Sequence, residues 1–84
     1  MFYVYVLKSK KDGKLYIGYT KDLRARFEQH TSGCVASTKS RRPLELLYYE
    51  ACRHRDDATH REKYLKSTYG HRFLGNRLKS DFTG

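Results

Sequence analysis

Two short runs near the start of the chain, Phe2-Tyr3-Val4-Tyr5-Val6-Leu7 and Leu15-Tyr16-Ile17-Gly18, constrain what the rest can fold into. Both are rich in aromatic and β-branched residues, and the link between them carries Asp12-Gly13. Asp-Gly between such runs is a strong hairpin signal, because glycine accepts positive φ without a Cβ clash. An antiparallel hairpin can make Tyr5 and Tyr16 neighbours on one face of a sheet. Two phenols at the edge of a strongly basic protein suggest chemistry on a phosphate.

The basic character is strong for so short a chain. Its 84 residues carry 18 Lys and Arg against 9 Asp and Glu, a formal net charge of +9. The cations are spread through the sequence, so the positive field belongs to the folded body, and nucleic acid is the natural partner. The alternative is a generally basic surface that aids solubility. This length predicts one domain over residues 1–84, with a small core and a shallow cleft rather than a deep cavity. Cys34 and Cys52 have no closely spaced cysteine partners, so neither a zinc site nor a disulfide framework is expected. Reduced thiols in a cytoplasmic protein are the simplest reading. No charged segment followed by a long apolar run opens the sequence, and no stretch approaches membrane-spanning length, so neither a signal peptide nor a membrane span is expected.

Along the chain, strands are expected at about Phe2–Lys8 and Leu15–Tyr19. Asp22 reads as the N-cap of a helix running to about Thr31. In that helix Leu23 and Phe27 form the buried stripe, while Arg26 and His30, four apart, share a neighbouring face. Ser32 to Pro43 reads as a loop whose hydroxyls and cations Lys39, Arg41 and Arg42 suit phosphate contacts; a mobile solvated loop is the other reading. Leu44–Cys52 has the residue types of a third strand, and its Leu46-Leu47 and Tyr48-Tyr49 doublets suggest burial on both faces and a central position. A second helix from Asp56-Asp57 or Thr59 to about Tyr69 places Ala58, Glu62, Leu65 and Tyr69 on one stripe, with Gly70 as C-cap. A last helix, His71 to about Lys79, presents Phe73, Leu74 and Leu78 to the core. The expected class is α/β (α+β): a small three-stranded antiparallel sheet flanked by about three helices.

Glu62 stands out on that stripe, where a carboxylate is costly unless paired or bound to a cation. Thr59-His60-Arg61-Glu62 matches a capping box, and a salt bridge to an arginine is a second explanation; a metal ligand is a third. Asn76 is a polar residue in a helix otherwise made of core residues and cations. Most of the eight tyrosines should be packing aromatics with their hydroxyls at the rim.

Together these positions match a family. Tyr3-Val4-Tyr5 and Tyr16-Ile17-Gly18 resemble the two strand motifs that name the GIY-YIG nucleases. Arg26 falls where that family has its catalytic arginine, and His30, one turn later, where it often has His or Tyr. Glu62 falls at its metal-binding glutamate, and Asn76 in Arg72-Phe73-Leu74-Gly75-Asn76-Arg77-Leu78 resembles its late asparagine. Arg41-Arg42-Pro43-Leu44-Glu45-Leu46 is similar to the small stand-alone bacterial members. Two departures are visible. Tyr3 stands where the name motif has Gly, and Tyr19 follows Gly18 where some repair-type members carry Lys, leaving that role to Lys21 or Arg24.

The resemblance implies metal-dependent hydrolysis of phosphodiester bonds by attack of water, with DNA as the expected polymer and repair or recombination as the setting. Glu62 would hold Mg²⁺ (or Mn²⁺) and Arg26 would neutralise the scissile phosphate. Tyr16 would take the proton of the water, with Tyr5 orienting water or phosphate. A free phenol titrates near ~10, so this role needs neighbouring cations. His30 would relay the proton or bond a phosphate oxygen, and Asn76 would fix Glu62 or the substrate backbone. Lys21, Arg24, Lys39, Arg41 and Arg42 would bind the nucleic acid. Larger members carry separate DNA-recognition domains, so a protein partner supplying specificity is a further expectation here. The competing reading is a catalytically silent nucleic-acid-binding module that recruits a partner. No aromatic platform is exposed clearly enough in the sequence to indicate single strands.

Overall fold

The structure, a computed structural model, describes residues 1–82. The fold is α+β. Its elements in chain order are β1 (Phe2–Ser9), β2 (Leu15–Thr20), α1 (Leu23–Ser32), α2 (Ala36–Lys39), β3 (Leu44–Cys52), α3 (Arg55–Lys66), α4 (Thr68–Arg77) and α5 (Lys79–Phe82). The strands form one antiparallel sheet in the order β2-β1-β3.

The hairpin forms as its composition dictates. Gly13 takes φ +74°, and Ser9 and Lys14 close the ladder through an amide–carbonyl bond of 2.9 Å. The fully buried Ser9 hydroxyl ties the turn down by accepting the amides of Lys11 and Asp12 and donating to the Arg41 carbonyl. In β1, Val4, Tyr5, Val6 and Leu7 are all buried. That is the signature of a strand covered on both faces, and β1 is the central one. Val4 and Val6 pack with Ile17, Ala58, Leu65 and Leu74 under α3 and α4, while Tyr5 and Leu7 pack with Leu44, Leu23 and Phe27 under α1.

β3 lies at the edge of the sheet rather than at its centre. Its doublets arise from a bulge: Val6 faces Tyr48 while Leu7 faces Leu46, so Leu47 is the extra residue. A bulge breaks the period-2 alternation, which in sequence looks the same as burial on both faces.

The segment from Ser32 to Pro43 is not a plain loop. Gly33, at φ +86°, caps α1 and the chain then turns through the short helix α2, which packs on α1 and brings a fully buried Thr38 with it. The second expected helix is also divided. α3 ends at Lys66, and Ser67 N-caps α4 by accepting the Gly70 amide. Gly70 is therefore inside the first turn of α4 and caps nothing. A Cβ there would collide with the Tyr64 carbonyl and the Leu65 Cα, so glycine is what lets the two helices meet this closely. Tyr69 is consequently exposed rather than part of the buried stripe. α3 begins at Arg55 behind His54, which puts Thr59 in the helix interior and rules out the capping box; Thr59 donates instead to the Asp56 carbonyl. Among the described residues, no helix is long and apolar enough to cross a membrane.

Candidate active site

The hairpin register sets Tyr5 opposite Gly18 and Leu7 opposite Tyr16, so Tyr5 and Tyr16 are diagonal neighbours on the face under α1. Their ring centroids lie 6.4 Å apart. Gly18 is needed for this: a Cβ there would sit 2.5 Å from the Tyr5 hydroxyl. The space left by glycine is where the Tyr5 phenol ends.

α1 delivers the next two groups. Asp22 accepts the Ala25 amide and fixes the start of the helix. One turn in, Arg26 is half-buried, with its guanidinium steadied by donation to Gln29 Oε1 at 3.0 Å. His30 is completely buried. Its Nε2 lies 2.9 Å from the Tyr5 hydroxyl and its Nδ1 lies 2.7 Å from Thr38 Oγ1. The imidazole also packs edge-on against both phenols, at 5.7 Å from Tyr5 and 5.1 Å from Tyr16. Burial lowers the His30 pKa and the Arg26 charge adds to this, so the ring is held neutral. Burial raises the Tyr5 pKa; donation by Arg26 works against it, and the charges of Tyr16 and Glu62 reinforce it. Tyr5 is thus a neutral phenol at ordinary pH, able to donate.

Glu62 enters from α3, which packs on β1 and β2 from the opposite layer. It stands between the fully buried Ala58 and Leu65 on the inner stripe, with its side chain 19% exposed. Its one ion pair among the described residues is to Lys66, at 3.7 Å along the helix, and not to an arginine. Arg61 is occupied elsewhere: it donates two parallel bonds to Glu50, at 2.8 and 2.9 Å, and lies over the rings of Tyr64 and Phe73. Glu62 is left as the carboxylate whose charge reaches Tyr5.

Of the six positions singled out from the sequence, Tyr5, Tyr16, Arg26 and His30 therefore meet on the face under α1, while Glu62, on the opposite layer, is tied to them only by a small effect of its charge on Tyr5. Asn76 is exposed near the end of α4 and makes no side-chain hydrogen bond among the described residues. The cations divide. Lys21 and Arg24 are exposed and unpaired at the start of α1, and Lys39 is exposed on α2. Arg42 is exposed but folds back to donate to the Lys39 and Thr31 carbonyls. Arg41 is half-buried, donating to the Leu15 carbonyl and facing Asp12 at 3.7 Å, so it braces the hairpin. Thr38 and Ser9 had no signal in the sequence beyond being hydroxyls in polar surroundings; only their burial reveals what they do.

Among the described residues, no group of three or more His, Cys, Asp or Glu is arranged to hold a metal ion. The donor set still fits a hard divalent ion: Mg²⁺ is commonly held by one or two carboxylates, with water and substrate phosphate completing its shell. Glu62 is the residue that would supply the carboxylate.

A family model described as the GIY-YIG catalytic domain matches residues 1–77. The UPF0213 protein CPE1444 of Clostridium perfringens is 43% identical over 67 residues, covering 79% of this chain and 71% of its own length. A UPF0213 protein of Staphylococcus aureus is 44% identical over 66 residues, covering 77% and 79% respectively. The solution NMR structure of the UPF0213 protein BH0048 from Bacillus halodurans is similar at a TM-score of 0.56 and 34% identity, covering 90% of this chain and 84% of that one. With the family's strand motifs on paired strands and its domain model matched over most of its length, this chain belongs to the GIY-YIG catalytic domain family.

Proposed function

We propose that the protein is a metal-dependent endonuclease hydrolysing phosphodiester bonds in nucleic acid, with DNA as its polymer and repair or recombination as its setting. The observation that carries this reading is the meeting of Tyr5, Tyr16 and His30 under α1, with Arg26 on the same helix as His30 and its charge acting on both Tyr5 and His30. A general nucleic-acid binder needs positive charge but has no use for two phenols around a buried neutral imidazole.

Each group has a task suited to its surroundings. Arg26, tethered by Gln29, presents a planar fork of donors to the scissile phosphate and stabilises charge as it develops there. Tyr16, half-buried beside the imidazole, takes the proton from the attacking water. Tyr5 remains a neutral donor that positions the phosphate or the water. His30, enclosed between Tyr5 and Thr38, has no nitrogen left for substrate and acts through Tyr5. A divalent ion held by Glu62 would supply stabilisation of the leaving oxygen. Lys21, Arg24 and Lys39 hold the backbone of the polymer without reading its sequence.

The test is cleavage of labelled single-stranded, duplex and branched DNA with Mg²⁺, with Mn²⁺ and with chelator, for the wild type beside Tyr16→Phe and Glu62→Ala. Metal-dependent cutting that both variants lose by about 10²-fold or more supports the reading. Cutting by Glu62→Ala at the wild-type rate overturns the metal assignment. Salt-sensitive binding with no cutting of any substrate favours the silent recruitment module.

A further inference from the structure

One surface next to this cluster has no task in the hydrolysis itself. Tyr49 in β3 lies directly across from Tyr5 in the sheet register and so stands on the same face. It is 53% exposed, although it sits in the middle of a strand. Its ring packs edge to face with Tyr3, at 6.1 Å between centroids. That contact fixes the orientation of the ring while leaving more than half of the residue uncovered. The two rings form one wall of a shallow cleft of about 390 Å³ whose other side is Lys21, Asp22, Leu23 and Arg24.

The chemistry of that cleft is uneven in a useful way. Lys21 and Arg24 have no side-chain partner among the described residues. Asp22, the one anion in the wall, already accepts the Ala25 amide at the start of α1. The cleft thus offers a rigid aromatic ring on one side and two unspent cations on the other. An acidic peptide would pair with the cations but brings no flat base for the ring. A nucleotide has both complements, a flat base for the ring and an anionic phosphate for the cations.

Building on the nuclease reading, we propose that Tyr49, braced by Tyr3, is a stacking subsite for one unpaired nucleobase of the substrate, with Lys21 and Arg24 holding the adjoining phosphate. Because Tyr49 is the cross-strand partner of Tyr5, the stacked nucleotide lies next to the phosphate presented to the catalytic cluster. A base inside a duplex cannot reach the ring without leaving its stack, so the subsite selects a strand that is single or locally opened. Stacking on an aromatic side chain is tolerant of base identity, so the selection is for an unpaired base and not for a sequence.

The test is equilibrium binding of a labelled single-stranded DNA oligonucleotide and of a blunt duplex of equal length, by fluorescence anisotropy in chelator. With no metal present, the result does not depend on whether the protein cuts, so a failure here and a failure of the nuclease reading are told apart by the separate cleavage assay. Tyr49→Ala is expected to weaken single-strand binding by about 5- to 150-fold, with less than about a twofold change on duplex. Tyr49→Phe, which keeps the ring, retains wild-type affinity. Lys21→Ala and Arg24→Ala weaken both ligands, each lowering the dependence of log K on log salt by about 1. A further measurement needs no variant. The unaltered protein should prefer a base-bearing strand over an abasic strand of equal charge by the same factor that Tyr49→Ala loses. The chain has no tryptophan, so tyrosine emission quenched by the single strand, and less so in Tyr49→Phe, reports the stack directly. Equal losses on both ligands, no loss at all, the same loss in Tyr49→Phe, or indifference to the abasic strand each overturn the proposal.

Discussion

The Tyr5 hydroxyl lies 2.9 Å from His30 Nε2, with both residues buried. Since Thr38 Oγ1 holds the other nitrogen at 2.7 Å, the imidazole is locked between a strand and a short helix 25 and 8 residues away in sequence. A hydroxyl can donate or accept, so Thr38 complements His30 whichever nitrogen carries the proton. The position of the Tyr5 phenol is therefore set by a segment with no residue of its own in the chemistry.

Thr38→Val keeps the shape of the side chain and removes the oxygen. A buried ring nitrogen then has no partner, which costs about 1–3 kcal/mol. Urea unfolding should show a lower midpoint with an unchanged slope, and Thr38→Ser should recover most of the loss. Equal midpoints for Thr38→Val and wild type would mean that the bond carries no net stability.

His30 also makes stability depend on pH. Its folded pKa is depressed, first by burial and then by Arg26, so between the folded and unfolded values the unfolded chain binds the extra proton. Stability consequently rises with pH through that window. The contribution of His30 is complete above the unfolded value of about 6.5 and is lost as pH falls from there towards the depressed folded value. Urea midpoints at pH 7.5 and pH 5.5 should differ, and His30→Gln should flatten the difference. The same slope in His30→Gln would assign it to other groups.

Gly18→Ala places a methyl group against the Tyr5 hydroxyl, 2.5 Å from its oxygen. Overpacking of this kind costs about 1–3 kcal/mol. Displacing the phenol by an ångström should slow cleavage by up to ~10²-fold. The check is to compare cleavage and urea midpoint. Full activity in Gly18→Ala would show that the position of Tyr5 is not critical.

Glu50 and Arg61 form the opposite kind of pair. Two parallel donations from Arg61, joined by one from Tyr48, hold the Glu50 carboxyl below its usual range. The arginine also lies between two rings, Tyr64 and Phe73. Both charges are partly exposed, so Glu50→Ala should cost only about 1 kcal/mol in urea. Because Glu50 pairs with Val4 in the sheet, on the face opposite that of Tyr5, cleavage should stay within about twofold of wild type once the protein is folded. A larger loss of cutting would place this pair in contact with substrate.

Local sequence was enough wherever a few neighbouring residues decide the outcome. Asp12-Gly13 fixes the turn, and Asp22 and Gly33 bound the first helix. The aromatic and β-branched run of Phe2–Leu7 was enough to mark a strand, although its central place in the sheet looked to belong to Leu44–Cys52 instead. The order of Tyr5, Tyr16, Arg26, His30, Glu62 and Asn76 along the chain was enough to point to the family. The sequence misled where two structures share one pattern. The bulge at Leu47 looked like a central strand, and Gly70, a glycine that lets two helices touch, looked like the end of one.

Other features follow from contacts that no short window contains. Whether Thr38 is a solvated loop hydroxyl or the buried partner of His30 depends on α2 docking against α1. Whether Glu62 caps its own helix or stands on the inner stripe beside Ala58 and Leu65 depends on where α3 starts and on its packing over β1 and β2. Arg41 became a brace for the hairpin, and Tyr49 an uncovered ring beside Tyr5, only when β3 took the edge of the sheet. The sequence by itself determined the hairpin, the first helix and the set of reactive side chains, because turn chemistry, capping and periodicity act over a few residues. The tertiary structure alone decided which side chains lost their water and which met each other, because burial is a property of packed layers.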